Sequence, residues 1–278
     1  MSPLEAWSSR IDLAGAIAEI DTPKIRRTIE KRRAAVLQGA AEHYGLVERT
    51  NGDWKIRDKP PLVHHLSHHE LHAHQAFASY AETLQEDRRV LLQRYHRRDV
   101  AFKTVGVGSV GTFCAIGLFV SDDGAPLLLQ IKEAQQSVLE PSAGPSKYAN
   151  HGERVIVGER MMQAAADVFL GWTRNPVNGR YFYVRRLKDP RLANIGTCLE
   201  AELPFYAALC GRTLARAHAR AGDAVALSGY MGDDSEFDKA IAKFAMAYAD
   251  QTKRDWHALL DAIKAGRLNA EEQHVPSA

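Results

Sequence analysis

Several features that would settle the class of this chain quickly are missing from it. It has only three cysteines in 278 residues. Cys114, Cys198 and Cys210 lie far apart and show no metal-ligand spacing, and two sit in predicted apolar segments, so buried free thiols in a reducing cytosol are the expectation. No apolar run approaches the length needed to cross a membrane. Met1 to Glu5 offers neither the basic nor the apolar segment of a secretory leader. The formal net charge is only +2, which does not argue for nucleic acid. The sequence is therefore read as cytoplasmic, with no membrane or nucleic-acid partner expected. What is present is ordinary globular material, 45% hydrophobic and 25% charged, enough for one domain with two lobes or for two small domains.

The most informative stretch is Gly106-Val107-Gly108-Ser109-Val110-Gly111. Three glycines at this spacing let backbone N–H groups approach an anion closely. A dinucleotide fold would open a helix directly after the third glycine. Here Thr112 to Val120 is rich in aromatic and β-branched residues and predicts a strand. Ser121 to Gly124 is a turn signal, and Pro126 to Lys132 predicts the returning strand. No Gly-Lys-Ser/Thr ending follows the glycines, which argues against a P-loop. Glycine loop, strand, turn, strand and lysine is the order in which kinase-like folds cover ATP phosphates and hold them with a strand lysine. The alternative stays open, because glycines before a strand also serve a bulge or a tight turn.

Around this hairpin the chain alternates helices and turns. Thr22-Pro23 predicts a helix start, with Ile25, Ile29, Val36 and Ala40 close to one face and Gly45 beyond its end. The basic run Lys24 to Arg33 on that helix is read as a solvated face. Asn51-Gly52 and Asn178-Gly179 are hairpin turns. Glu86 to Tyr95 predicts a short helix, Ser137 to Asn150 a loop, and Gly152 to Asp167 a helix. In a kinase-like lobe a helix glutamate pairs with the strand lysine. Glu159 is the preferred partner of Lys132, with a solvent-facing role as its alternative. From Glu202 onward the chain reads as helical. Phe237, Ile241, Phe244 and Tyr248, then Trp256, Leu259, Leu260 and Ile263, form stripes expected to lie in a core.

Half of the twelve histidines fall between His64 and His74. On a helix, His65, His68, His69 and His72 would share one face, a spacing that could bind zinc or nickel. The run is not HExxH. No dedicated metal centre is expected; adventitious binding and protonation below about pH 6.5 are. His218 and Asp223, at the end of a predicted helix, are candidate cleft residues. The alternatives, a packed histidine and a capping aspartate, weigh equally.

Six blocks in order carry a resemblance: VGVGSVGT (105–112), LLLQIKEAQQSVLEP (127–141), GERVIVGERMMQAAADVFLGW (152–172), YFYVRRLKD (181–189), LCGRTLARAHARAGD (209–223) and FDKAIAKFAMAYADQTKRD (237–255). Together they resemble the bacterial family catalogued as domain of unknown function 2252, over about residues 85 to 266, with weaker similarity before. The family brings no assigned reaction. It is similar to aminoglycoside- and choline-kinase-like phosphotransferases through Gly-Asp-x-His-x-x-Asn and Asn-Asp-Phe-Asp type motifs in an N-terminal block. This chain starts at Met1-Ser2-Pro3 without them; Gly222-Asp223 is followed by Ala224-Val225-Ala226. The resemblance implies a lobe that keeps the phosphate loop and lysine and lacks the catalytic base and metal ligands. The frame is then truncated, or a partner chain supplies the missing block, or the chain is a degenerate binding protein.

The expected architecture is α+β and kinase-like but incomplete. It has a helical region with a short hairpin over 1–98, a β-rich glycine-loop lobe over 99–190 and a helical lobe over 191–278. Gly106, Gly108, Ser109 and Gly111 would cradle the phosphates of ATP, with magnesium as the accompanying cofactor. Lys132 would neutralise them and Glu159 would position Lys132. If active, the chain would be a kinase-like phosphotransferase. The alternatives are a non-catalytic interaction module and metal handling through the His64–His74 segment.

Overall fold

The computed structural model describes residues 12–20, 22–38, 45–65, 77–106, 111–187 and 203–270. The chain divides into two units, Met1–Gly222 and Asp223–Ala278. The first is α+β. It opens with helices α1 (Leu13–Ala18) and α2 (Pro23–Gln38). Asp12 caps α1 by accepting a hydrogen bond from the Ala14 amide at 3.0 Å. Pro23 stands at the first position of α2, where its missing N–H costs nothing. Ile17, Ile20 and Ile29 bury together.

Strands β1 (Val47–Thr50) and β2 (Asp53–Ile56) make a two-stranded hairpin. Its turn places Asn51 at φ 54° and Gly52 at φ 89°, the doubly left-handed turn that Asn-Gly adopts most readily. Then come β3 (Val63–His64), a helical turn at 77–82, α3 (Glu86–Leu92), β4 (Tyr95–Lys103), β5 (Cys114–Ser121) and β6 (Pro126–Ala134). A four-residue helix α4 (Glu140–Ala143) interrupts the loop expected after Lys132. Helix α5 (His151–Met162), β7 (Gly171–Arg174), β8 (Tyr181–Arg186) and α6 (Leu203–Ala221) complete the unit. Six strands form one antiparallel sheet in the order β3-β4-β5-β6-β8-β7.

The sheet is covered on both faces, which is why β5 and β6 read as continuous apolar runs rather than alternating ones. One face carries Leu127, Leu129, Ile131, Phe182 and Val184 against Phe77, Tyr80, Leu84 and Phe169. The other carries Ala101, Ile116, Leu118 and Leu128 against Leu46, Val47 and Ile56 of the hairpin. Each such side chain stabilises the fold by about 1.5–3 kcal/mol when fully buried.

Helix α5 packs against β6, β7, β8 and α6. Asn150 caps it, its Oδ1 accepting from the Gly152 and Glu153 amides at 2.8 and 3.2 Å. The helix stops at Met162, short of the expected Asp167, because Gln163 turns extended at φ −100°, ψ 123°. Arg220 of α6, only 8% exposed, donates from Nε to the Met161 carbonyl at 2.9 Å and from Nη2 to that of Gln163 at 3.4 Å. A cation on the last carbonyls is the favourable sign for a helix C-terminus.

The second unit holds α7 (Ala224–Met231) and α8 (Glu236–Lys264). The apolar stripe of α8 is not a core among the described residues. Ile241, Phe244, Tyr248, Trp256 and Leu259 are all exposed, although Phe244 and Tyr248 stack on each other at 5.6 Å. The periodicity marks an amphipathic face correctly but does not say what covers it. Cys210 on α6 is likewise exposed, whereas Cys114 is buried as expected.

Candidate functional site

The loop between β4 and β5 carries the glycines. Gly108 and Ser109 lie outside the described residues, as do His68, His69 and His72. Gly106 and Gly111 are described and exposed. Gly111 has φ +79°, a backbone setting that a side chain would strain. Both ends of the loop are pinned. At its entry, the Thr104 amide donates to the Leu62 carbonyl at 2.7 Å and its hydroxyl to the Pro61 carbonyl at 3.1 Å. At its exit, the Phe113 amide donates to Glu133 Oε2 at 3.0 Å, and Phe113 returns its carbonyl to the Glu133 amide at 2.9 Å.

Strand register brings Lys132 to this loop. Lys132 stands opposite Cys114 on β5 and opposite Tyr183 on β8. Residues directly opposite in a ladder share a face. Two positions along, Gln130 stands opposite Ile116 and Arg185, so all six residues are on the face that carries Ile116 and the hairpin. Arg185 donates from Nε and Nη2 to Gln130 Oε1, each at 3.2 Å. The sheet face thus changes character along its length, apolar under the hairpin and polar at the glycine-loop end.

The electrostatics of that end are cationic. Burial pushes the Cys114 thiol above its ordinary range, while the charges of Lys132, Lys103 and Arg185 pull it back. Three cations on separate strands therefore act electrostatically on one buried thiol. Burial likewise raises the Tyr183 phenol; Arg185 opposes the rise and Glu159 adds to it. Glu159, on α5, thus acts on the side chain directly opposite Lys132. Sequence reasoning found Lys132 and Glu159 but missed Lys103, Cys114, Tyr183 and Arg185, which only the pairing of distant strands unites.

The other candidates lie elsewhere. His218 is exposed on α6, its Nδ1 against the Leu214 carbonyl at 2.8 Å, one turn back. Asp223 caps α7, accepting from the Val225 and Ala226 amides at 2.9 and 3.0 Å. That is the capping alternative for Asp223. His65 has both ring nitrogens against carboxylates, Nδ1 at 2.8 Å from Asp58 Oδ1 and Nε2 at 3.1 Å from each Asp99 oxygen. Among the described residues no group of three or more histidine, cysteine, aspartate or glutamate side chains is placed to hold a metal ion. Nor is any described helix long and apolar enough to cross a membrane.

No curated protein and no solved structure matches the chain. One family model does, described as "Uncharacterized protein conserved in bacteria (DUF2252)", over residues 1–262. The match takes in both pinned ends of the glycine loop, Lys132, α5 and most of α8, and reaches the first residue, further forward than the six quoted blocks. The chain belongs to this bacterial family.

Proposed function

We propose that the chain binds the phosphates of ATP at the glycine-loop end of the six-stranded sheet, in a kinase-like arrangement of loop, strand lysine and helix glutamate. The observation that carries this reading is the β5–β6 register. It sets Lys132 opposite Cys114, at the strand end that the loop enters, with Lys103 and Arg185 bearing on the same atom. The order of parts also fits. The loop joins two antiparallel strands, the lysine sits on the next strand, and the glutamate on α5, beyond the short α4. Gly106 and Gly111, with Gly108 and Ser109 between them, supply backbone N–H groups, and Lys132 supplies charge. Glu159 acts as a positioning residue through its placement beside Tyr183. A half-buried cationic cluster favours a multiply charged anion because charge-assisted hydrogen bonds are the strong ones.

Binding is proposed, not transfer. Phosphoryl transfer rests on metal ions and on a residue that orients the nucleophile. Among the described residues no group of three or more metal-ligating side chains is placed to hold a metal ion, and no metal-dependent step is proposed.

Calorimetric titration with ATP, with and without magnesium, tests the reading against Lys132→Ala. Losing one charge-assisted contact costs about 1.5–3 kcal/mol, so the variant is expected to bind roughly 10–100-fold more weakly. Equal affinity in the two proteins contradicts the reading. A folded protein that takes up no ATP leaves the second reading, an interaction module. That one is supported by the exposed Phe244, Tyr248 and Trp256 of α8, a contiguous apolar face of the kind that marks contact sites.

A further inference from the structure

The segment that holds the entry of the glycine loop is itself held by one histidine. Pro61 and Leu62 accept the two hydrogen bonds of Thr104. Val63 and His64 pair with Lys103 and Phe102, the last residues of β4. The next residue, His65, ties this segment down at both ring nitrogens. Nδ1 meets Asp58, from the turn after β2, and Nε2 meets Asp99 of β4. Asp58 Oδ1 also accepts the His65 backbone amide at 3.0 Å. Asp99 sits where the β4–β5 register shifts, and its Oδ2 accepts the Ile56 amide at 2.8 Å. The imidazole therefore joins the segment 58–65 to β4, and Asp99 in turn ties β4 to the end of β2.

This geometry asks for a particular protonation state. A carboxylate only accepts, and a neutral imidazole has one N–H. With carboxylates at both nitrogens, the neutral ring leaves a lone pair facing an anion, while the imidazolium satisfies both. Burial disfavours the charged ring, and the hydrogen bonds and charges of Asp99 and Asp58 outweigh it, holding the pKa above the ordinary histidine value. The same contact pulls the Asp58 carboxyl below its ordinary range. The surrounding charges are Glu48 on β1, Lys55 on β2, Arg57 just beyond it, and the two aspartates. With Thr50, Ile56 and His65 they line an open cavity of about 510 Å³. Arg57 is held by Glu48 at 2.9 Å, and His64 also bears on Asp58. None of these cations contacts the imidazole, so its partners are the two carboxylates.

We propose that His65 is a proton-operated latch: protonated, it closes residues 58–65 on Asp58 and locks them onto Asp99 of β4, and so fixes the entry of the glycine loop, and loss of the proton releases that entry. The sign follows from the raised folded-state value. The latch is fully closed below the unfolded histidine pKa of about 6.5 and opens as pH rises through the folded one. Its effect on phosphate binding rests on the ATP reading above; the latch itself does not.

The test needs no nucleotide in its first arm. Imidazole nitrogen shifts of the full chain, followed from pH 5 to 9, are expected to show both His65 nitrogens protonated in the latched state and the ring titrating above the ordinary histidine range. Amide exchange at Val63 and Thr104, corrected for its intrinsic pH dependence, is expected to lose protection across the His65 titration. His65→Gln should show the low value at every pH. Asp58→Asn, at an exposed position, should lower the pH at which protection is lost. A His65 that titrates at or below its ordinary value, or protection that stays flat through its titration, overturns the latch. The second arm measures ATP affinity at pH 6 and 8 in wild type and His65→Gln; a fall with pH in wild type beyond that in the variant is expected. Flat exchange with intact ATP binding overturns the latch alone. A pH-dependent exchange with no ATP binding overturns the phosphate reading and leaves the latch standing.

Discussion

Replacing Gly152 by alanine is expected to lower the unfolding free energy by about 1–3 kcal/mol, the cost of over-packing a filled site. Gly152 lies in the first turn of α5, where the helix meets β8. A Cβ there would stand 2.2 Å from the Phe182 carbonyl oxygen and 2.8 Å from its carbon. The neighbour is backbone within the sheet, so no side chain can swing aside and the helix itself must move. Asn150 Oδ1, at 3.1 Å from the same point, would move with it and weaken the cap. The displacement carries Glu159 away from Tyr183, so the variant also probes the candidate site. Gly158→Ala is the control. It lies on the same helix with nothing within 4 Å of the added carbon. There the gain in helix propensity, about 0.5–1 kcal/mol, is unopposed. Urea midpoints that move in opposite directions for the two variants support this packing; a neutral Gly152→Ala refutes it.

Tyr80→Ala carries the largest expected loss, about 3–5 kcal/mol, the range for emptying a large aromatic site. Tyr80 is 0% exposed and packs edge-on to Phe77. Its hydroxyl donates to the Phe169 carbonyl at 2.7 Å, fastening the helical turn at 77–82 to the chain entering β7. Tyr80→Phe keeps the ring and leaves that buried carbonyl without its donor, at about 1–3 kcal/mol. The phenol also sets an alkaline limit. Burial raises its pKa far above the ordinary value; Asp167 adds to the rise and Arg160 opposes it. The folded state therefore keeps the proton after the unfolded state has lost it. That stabilisation is complete below about pH 10 and is lost as pH rises beyond it. Denaturant unfolding between pH 8 and 11 should show stability falling more steeply in wild type than in Tyr80→Phe.

Much of the fold is legible because local chemistry dictates it. Asn51-Gly52 and Asn178-Gly179 mark hairpins, and Asn51, Gly52 and Gly179 do take positive φ values of 54°, 89° and 71°. The runs 114–121 and 126–134 read as strands because both faces are buried. Strand β4 is harder to see. Tyr95 to Lys103 is crowded with charge, and its pairing comes from neighbours far along the chain. Strand β7 is four residues long and opens on Gly171, too little for a pattern. The end of α5 depends on Arg220, nearly sixty residues away. The candidate site divides the same way. The glycines and Lys132 form a local pattern, whereas Lys103, Cys114, Tyr183 and Arg185 come together only through register. His65 draws attention in the sequence as one of a histidine run, but its two aspartate partners come from separate elements.

We propose that the glycine-loop end of the sheet recognises the phosphates of ATP. Backbone amide shifts of the labelled protein, followed as ATP is added with tripolyphosphate and adenosine in parallel, test it most directly. The predicted result is saturable movement of the Gly106, Gly111, Cys114 and Lys132 amides with ATP and tripolyphosphate, and none there with adenosine. Shifts confined to other surfaces, or a spectrum that ATP leaves unchanged, would contradict it.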